Sequence, residues 1–157
     1  MTENHSTTSN RHSARESYTH FHKAVLPRPN DLCTVIGPTG KGVSMKDLAP
    51  EIHRQRLVIE GYPANPISDD DIKNYLSKMS EVLEMNKLQE PVTNLSSRYG
   101  WAGWIHWENS GAHFYAWESP TLFFSVDIYT CKPFDPQKAV KFTSEFLGSD
   151  TIEFKEF

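Results

Sequence analysis

Residues 108–120 read ENSGAHFYAWESP, and the run FSVDIYTC that follows ends at Cys131. This stretch holds a hydroxyl (Ser110), an imidazole (His113) and a thiol (Cys131), with the carboxylates of Glu108 and Asp127 among them. Hydroxyls and thiols are the usual nucleophiles of covalent catalysis, while imidazoles, thiols and carboxylates carry protons near neutral pH. Asn109, Ser110 and Gly111 have the composition of a tight turn. The spacing therefore predicts a hairpin with the serine in its turn, His113 on the outgoing strand and Cys131 at the end of the next strand.

The elements that must position these groups follow from periodicity. WAGWIHW (101–107), AHFYAW (112–117) and LFFSVDIYT (122–130) read as three strands, the first pair joined by the turn carrying Asn109, Ser110 and Gly111, the second by a turn containing Pro120. Strand alternation puts His113, Tyr115 and Trp117 on one face and Phe114 on the other. Cys131 shares parity with Tyr129 and Asp127, polar neighbours able to tune a thiol. Upstream, RQRLVIEGY (54–62) reads as another strand. Ser68 and Asp71 form a capping-box pattern for a helix whose apolar face is Ile72, Tyr75, Leu76, Met79, Val82 and Leu83. Downstream, Asp135 caps a second helix with Pro136 at its first position, Ala139, Val140, Phe146 and Leu147 as its stripe, and Gly148 closing it. TIEFKEF alternates as a last strand.

Helices separated by several antiparallel strands, without a βαβα run, give an α+β class: a two-layer sandwich with an antiparallel sheet and helices on one face. Most of the central aromatics (Trp101, Trp104, Trp107, Phe114, Tyr115, Trp117, Phe123, Phe124) are expected in the sheet–helix core, leaving one or two for a ligand. His106 is expected to be a satisfied strand histidine.

A length of 157 residues fits one domain, here residues 54–157, preceded by a flexible tail over 1–30 and a loop-rich arm over 31–53. Sixteen basic against 20 acidic residues give a formal net charge of -4, which offers no footprint for nucleic acid. No apolar run is long enough to span a bilayer, and MTENHSTTSNRHSARES lacks the apolar core of a signal peptide, so a cytoplasmic location is expected. Cys33 and Cys131 are too few for a disulfide framework and read as free thiols. His20 and His22 form an H-x-H pair without a carboxylate or cysteine companion, so no metal site is expected. GPTGKGVS (37–44) has the wrong spacing for a phosphate loop.

From about Arg56 to the end, the order of elements and several short motifs resemble the small bacterial S-adenosylmethionine decarboxylases. The matching pieces are RLVIEGY, GWAG (100–103), the hairpin followed by His113, then Pro120, VDIYTC and DPQKAVKF. The resemblance implies a pyruvoyl enzyme, in which the chain cuts itself before a serine of the hairpin and converts it into a ketone. That ketone condenses with the substrate amine and accepts the electrons left when carbon dioxide departs. It further implies that Cys131, in the family's T-C motif, is a proton donor. Three points depart from the pattern. Counting forward from GWAG puts Ser110 at the precursor position, whereas counting backward from Pro120 and His113 puts Ala112 there, which has no hydroxyl. The bond before Ser110 is Asn109–Ser110 where the family has Glu-Ser, with Glu108 displaced by one residue. The family's assisting histidine falls on Tyr115 by the forward count and Trp117 by the backward one.

The expectation is therefore a divergent relative, a lyase binding S-adenosylmethionine or a related amino acid and cleaving it without a cofactor. His113, Cys131 or a carboxylate would act as acid or base, Ser110 is the further catalytic candidate, and Glu60, Glu108, Tyr115, Trp117 and Asp127 would supply the ligand contacts. The alternatives are a decarboxylase of polyamine biosynthesis with a pyruvoyl group made from Ser110, and a non-catalytic homologue that binds a ligand or activates a partner chain. A homodimer or larger homo-oligomer is expected in each case.

Overall fold

A computed structural model of the chain describes residues 46–157. The tail over 1–30, the His20/His22 pair, Cys33, the GPTGKGVS run and most of the 31–53 arm lie outside the described residues. Residues 46–54 contain turns and bends without a helix or strand.

Six strands and two helices follow: β1 (Gln55–Gly61), α1 (Asp69–Val82), β2 (Val92–Ser96), β3 (Gly100–Trp107), β4 (Ser110–Trp117), β5 (Phe123–Thr130), α2 (Pro136–Leu147) and β6 (Ile152–Glu156). They form one antiparallel sheet in the order β2-β3-β4-β5-β1-β6. Both helices pack on the same face, because alternate strand residues there are apolar: Leu57 and Ile59, Ile105 and Trp107, Ala112, Phe114 and Ala116, Phe124, Val126 and Ile128 are all buried. Against them α1 sets Ile72, Tyr75, Leu76 and Met79, and α2 sets Ala139, Val140 and Leu147.

The caps explain where the helices begin. Ser68 accepts from the Asp71 N–H while the Asp71 carboxylate accepts from the Ser68 N–H, a complete capping box. Asp135 accepts from the Gln137 N–H, and Gly148 ends α2 at φ 58, a left-handed conformation that favours glycine. The polar groups in the core are paired. Trp107 Nε1 donates to Ser80 Oγ at 2.8 Å, and the Tyr75 hydroxyl meets Thr143 Oγ1 at 2.7 Å. Burial pushes the Tyr75 phenol above its ordinary range.

Three expectations need correction. A strand unforeseen from the sequence, β2, forms one edge; VTNLS is mostly exposed and lacks the apolar alternation that would announce it. The hairpin turn is not Asn-Ser-Gly. Trp107 pairs with Ser110, so the turn is the two-residue Glu108–Asn109, and Ser110 and Gly111 already belong to β4. The aromatics divide between the faces instead of crowding into the core: Trp107, Phe114 and Phe124 are buried and Trp101 packs against them, while strand alternation puts Trp104, Tyr115, Trp117 and Phe123 on the face without helices.

Candidate functional site

That helix-free face displays rows of side chains set by the strand register. In one row His106, Gly111, Tyr129 and Arg56 lie opposite one another across β3, β4, β5 and β1; in the next stand Trp104, His113, Asp127 and Val58. Gly111 has no side chain, so the first row sinks between His106 and Tyr129. The result is a cavity of about 400 Å³, lined by Ser110, Gly111, His113, His106, Asp127 and Tyr129, with the exposed Leu88 at its rim. This volume lies in the range of small-molecule sites. The glycine is obligatory for a local reason: a Cβ at position 111 would sit 2.3 Å from the Ile105 carbonyl oxygen.

Ser110 begins β4 at φ 120, a backbone conformation that residues with a side chain rarely adopt and that stores strain. The peptide before it is held from the end of β5. The Asn109 carbonyl oxygen accepts from the Cys131 N–H at 2.9 Å and lies 3.6 Å from Cys131 Sγ. Both sides of this contact are anchored. Asn86 Nδ2 donates to Glu108 at 3.0 Å, Lys132 Nζ donates to the Glu84 carbonyl at 2.8 Å, and Thr130 Oγ1 donates to the Lys132 carbonyl. Cys131 is exposed.

Asp127 is engaged by Arg56, whose Nε and Nη2 donate to its two oxygens at 2.9 and 2.7 Å. This carboxylate raises the Arg56 guanidinium above its ordinary range, chiefly through the hydrogen bonds. Beside it His113 Nδ1 lies 3.2 Å from the Tyr115 hydroxyl. The His106 ring rests on Trp104 at 4.7 Å between centroids.

Of the expected site residues, the structure brings together Ser110, His113 and Asp127 in the cavity and Cys131 at the peptide beside it. It does not bring in the others. Tyr115 and Trp117 continue along β4 on the same face, where Trp117 meets Phe123 at 5.4 Å. Glu60 accepts from Ser125 at 3.3 Å, in the row of Tyr115. Glu108 sits in the turn and faces Asn86. Ala112, the other serine-count position, is fully buried on the helix side, opposite Ile105 and Ile128. His106 is a strand histidine of β3, as expected, and it is exposed and lines the cavity. His106, Tyr129, Arg56 and Leu88 were missed. Only parity could have pointed to the first two, once Gly111 is recognised as a strand residue. Among the described residues no group of three or more His, Cys, Asp or Glu side chains could hold a metal ion, and no helix is long and apolar enough to cross a membrane.

A family model described as S-adenosylmethionine decarboxylase matches residues 55–157. The chain belongs to the S-adenosylmethionine decarboxylase family. Among solved structures, the adenosylmethionine decarboxylase from Aquifex aeolicus VF5 is similar, with a TM-score of 0.57 and 17% identity over 68% of this chain and 89% of that one. At that identity the likeness speaks for the fold, and it agrees with the α+β sandwich read from the sequence. No curated protein matches the chain.

Proposed function

We propose that this protein is a lyase of the S-adenosylmethionine decarboxylase type that cuts itself between Asn109 and Ser110 and makes its carbonyl cofactor from Ser110. The observation that carries this reading is the Asn109 carbonyl, held by the Cys131 N–H at 2.9 Å and directly followed by a serine at φ 120. Attack of Ser110 Oγ on that carbonyl carbon puts negative charge on the oxygen, where an N–H donor is already in place. The C–O bond forms first, and the Asn109–Ser110 C–N bond breaks as the oxyanion collapses and the nitrogen takes a proton; the strain at Ser110 favours leaving the starting geometry. Loss of the Ser110 α-proton and of the Asn109 carboxylate, then replacement of nitrogen by water with release of ammonia, leaves a ketone at residue 110. These residues fit a pyruvoyl group: the serine has its hydroxyl, its peptide is polarised, and it opens onto a cavity.

A pyruvoyl carbonyl supplies an electron sink for the carbanion left by decarboxylation. The chain's own residues do the rest. Cys131 places an S–H beside residue 110 as a proton donor. His106 and Tyr129 wall the cavity with rings suited to a sulfonium or adenine, and the Asp127–Arg56 pair gives it a charged side. The reading includes a homo-oligomer in which a second copy covers the open face, where Tyr62, Tyr115 and Tyr129 are exposed.

Intact mass of the purified full chain tests this. Residues 1–109 and 110–157 are expected as separate fragments, the second with a ketone that reacts with hydrazine, and Ser110→Ala is expected to stay whole. A single full-length mass for the wild type overturns the reading. A second reading, cleavage of S-adenosylmethionine by the intact chain without a carbonyl cofactor, is favoured by one observation: Tyr115 and Trp117 stand where the two counts place the assisting imidazole. Methylthioadenosine released by an unsplit chain would establish it, since a sulfonium leaves readily once a base is positioned.

A further inference from the structure

Self-cleavage at Ser110 moves protons: one must leave the attacking hydroxyl and one must reach the departing nitrogen. The groups around the cavity that could carry them are few. Asp127 faces His113 from β5, but both its oxygens are taken by Arg56 of β1. Tyr129, also from β5, offers a phenol, a less common proton carrier than an imidazole. Cys131 is turned to the Asn109 carbonyl. Two imidazoles are left, His106 from β3 and His113 on β4.

An imidazole becomes a dependable base when a partner fixes its tautomer and orientation. His106 only rests on Trp104, whereas His113 Nδ1 lies 3.2 Å from the Tyr115 hydroxyl. If Nδ1–H donates to that oxygen, Nε2 is left unprotonated and free for the cavity. The two side chains meet because residues two apart on a strand share a face. Across the sheet, Asp127 stands opposite His113 in the ladder, its carboxylate held by Arg56.

We infer that His113, held by Tyr115 as a positioning residue, is the proton carrier of this cavity. The inference rests on the self-cleavage reading. It assigns the imidazole's work to a position two residues before Tyr115, where the forward count from GWAG puts the family's assisting histidine.

Splitting between residues 109 and 110 is followed by intact mass from the first minutes of cell-free synthesis of the full chain. His113→Ala is expected to slow it by about 100-fold or more, and free imidazole in the buffer to restore part of the rate. Tyr115→Phe slows it severalfold; His53→Ala, at an exposed position outside the cavity lining, leaves it unchanged. In Ser110→Ala, which stays whole, ¹⁵N shifts of the His113 ring are expected to show the Nδ1–H tautomer, and adding Tyr115→Phe to shift the balance towards Nε2–H. A His113→Ala chain that splits at the wild-type rate overturns the inference while leaving self-cleavage intact, as does loss of splitting in His106→Ala alone or a tautomer that ignores Tyr115. A wild-type chain that never splits is a different signature: it removes the self-cleavage reading and this inference with it.

Discussion

Replacing Gly111 by alanine adds one methyl group at the floor of the cavity. Its Cβ would lie 2.3 Å from the Ile105 carbonyl oxygen, roughly 1 Å inside ordinary van der Waals contact. The obstacle is backbone. It belongs to β3 in the middle of the β3–β4 ladder, where Ile105 pairs with Ala112 and its side chain is fully buried. Neither strand can yield without the other, so the methyl group must part the ladder locally. Overpacking of this kind costs about 1–3 kcal/mol, and one weakened ladder hydrogen bond adds about 1 kcal/mol. The sum is about 2–4 kcal/mol, a fall in Tm of roughly 10–15 °C for a domain of this size. The assay is thermal unfolding followed by circular dichroism, with Ser110→Ala as the background so that both chains are whole. In the Ser110 background the same shift pulls the Asn109–Ser110 peptide away from Cys131, and splitting is expected to slow as well. A variant within about 0.5 kcal/mol of its parent would refute the reasoning, since it would mean that β4 accommodates a side chain at 111.

Three further outcomes follow from the same geometry. Cys131→Ala keeps the backbone N–H on the Asn109 carbonyl and, at an exposed position, should change stability by less than about 0.5 kcal/mol; release of carbon dioxide from S-adenosylmethionine should fall by about 100-fold or more, and normal turnover would remove the proposed acid. Ser110→Gly relieves the positive φ and is expected to stabilise the uncleaved fold by about 1 kcal/mol in urea unfolding, whereas a loss of stability would show that no strain is stored there. Tyr75→Phe removes the hydroxyl on Thr143, which still donates to the Ala139 carbonyl at 2.7 Å, so the cost at neutral pH is about 1 kcal/mol. Because burial raises the Tyr75 pKa in the folded state, its contribution is complete below the unfolded phenol's value of about 10 and is lost as pH climbs above it. The wild type should therefore lose stability in that alkaline window more steeply than the variant, and equal slopes would exclude Tyr75 as the cause.

What the sequence made legible was local. The cap at Ser68, the Asp135-Pro136 start of α2, and the branched runs of β1 and β5 each state their conformation within a few residues. Parity along β4 separated His113, Tyr115 and Trp117 from Phe114 correctly, since it needs nothing beyond alternation. β2 stayed hidden because an exposed polar edge strand is specified by its partner β3 and not by its own pattern. The cavity stayed hidden for the same reason at a longer range. The Arg56–Asp127 pair joins residues 71 apart in sequence, and the row His106–Gly111–Tyr129 exists only once three strands are in register. Gly111 looked like a turn residue because Asn-Ser-Gly has turn composition; its actual constraint is the Ile105 carbonyl across the ladder.

Register also bears on which serine count to follow. Counting back from Pro120 starts in the loop between Trp117 and Phe123, outside the ladder, where an insertion or deletion costs little. Counting forward from Gly100–Gly103 runs along β3, through the two-residue Glu108–Asn109 turn and into β4, and the two counts end two residues apart on the same strand parity, so alternation does not separate them. Burial and chemistry separate them, since Ala112 is fully buried and has no hydroxyl, and the proposed self-cleavage therefore follows the forward count to Ser110. The same count puts Tyr115 where an imidazole is expected. The strand's two-residue period puts one nearby nonetheless, because His113 stands on the same face and lies within hydrogen-bond distance of Tyr115.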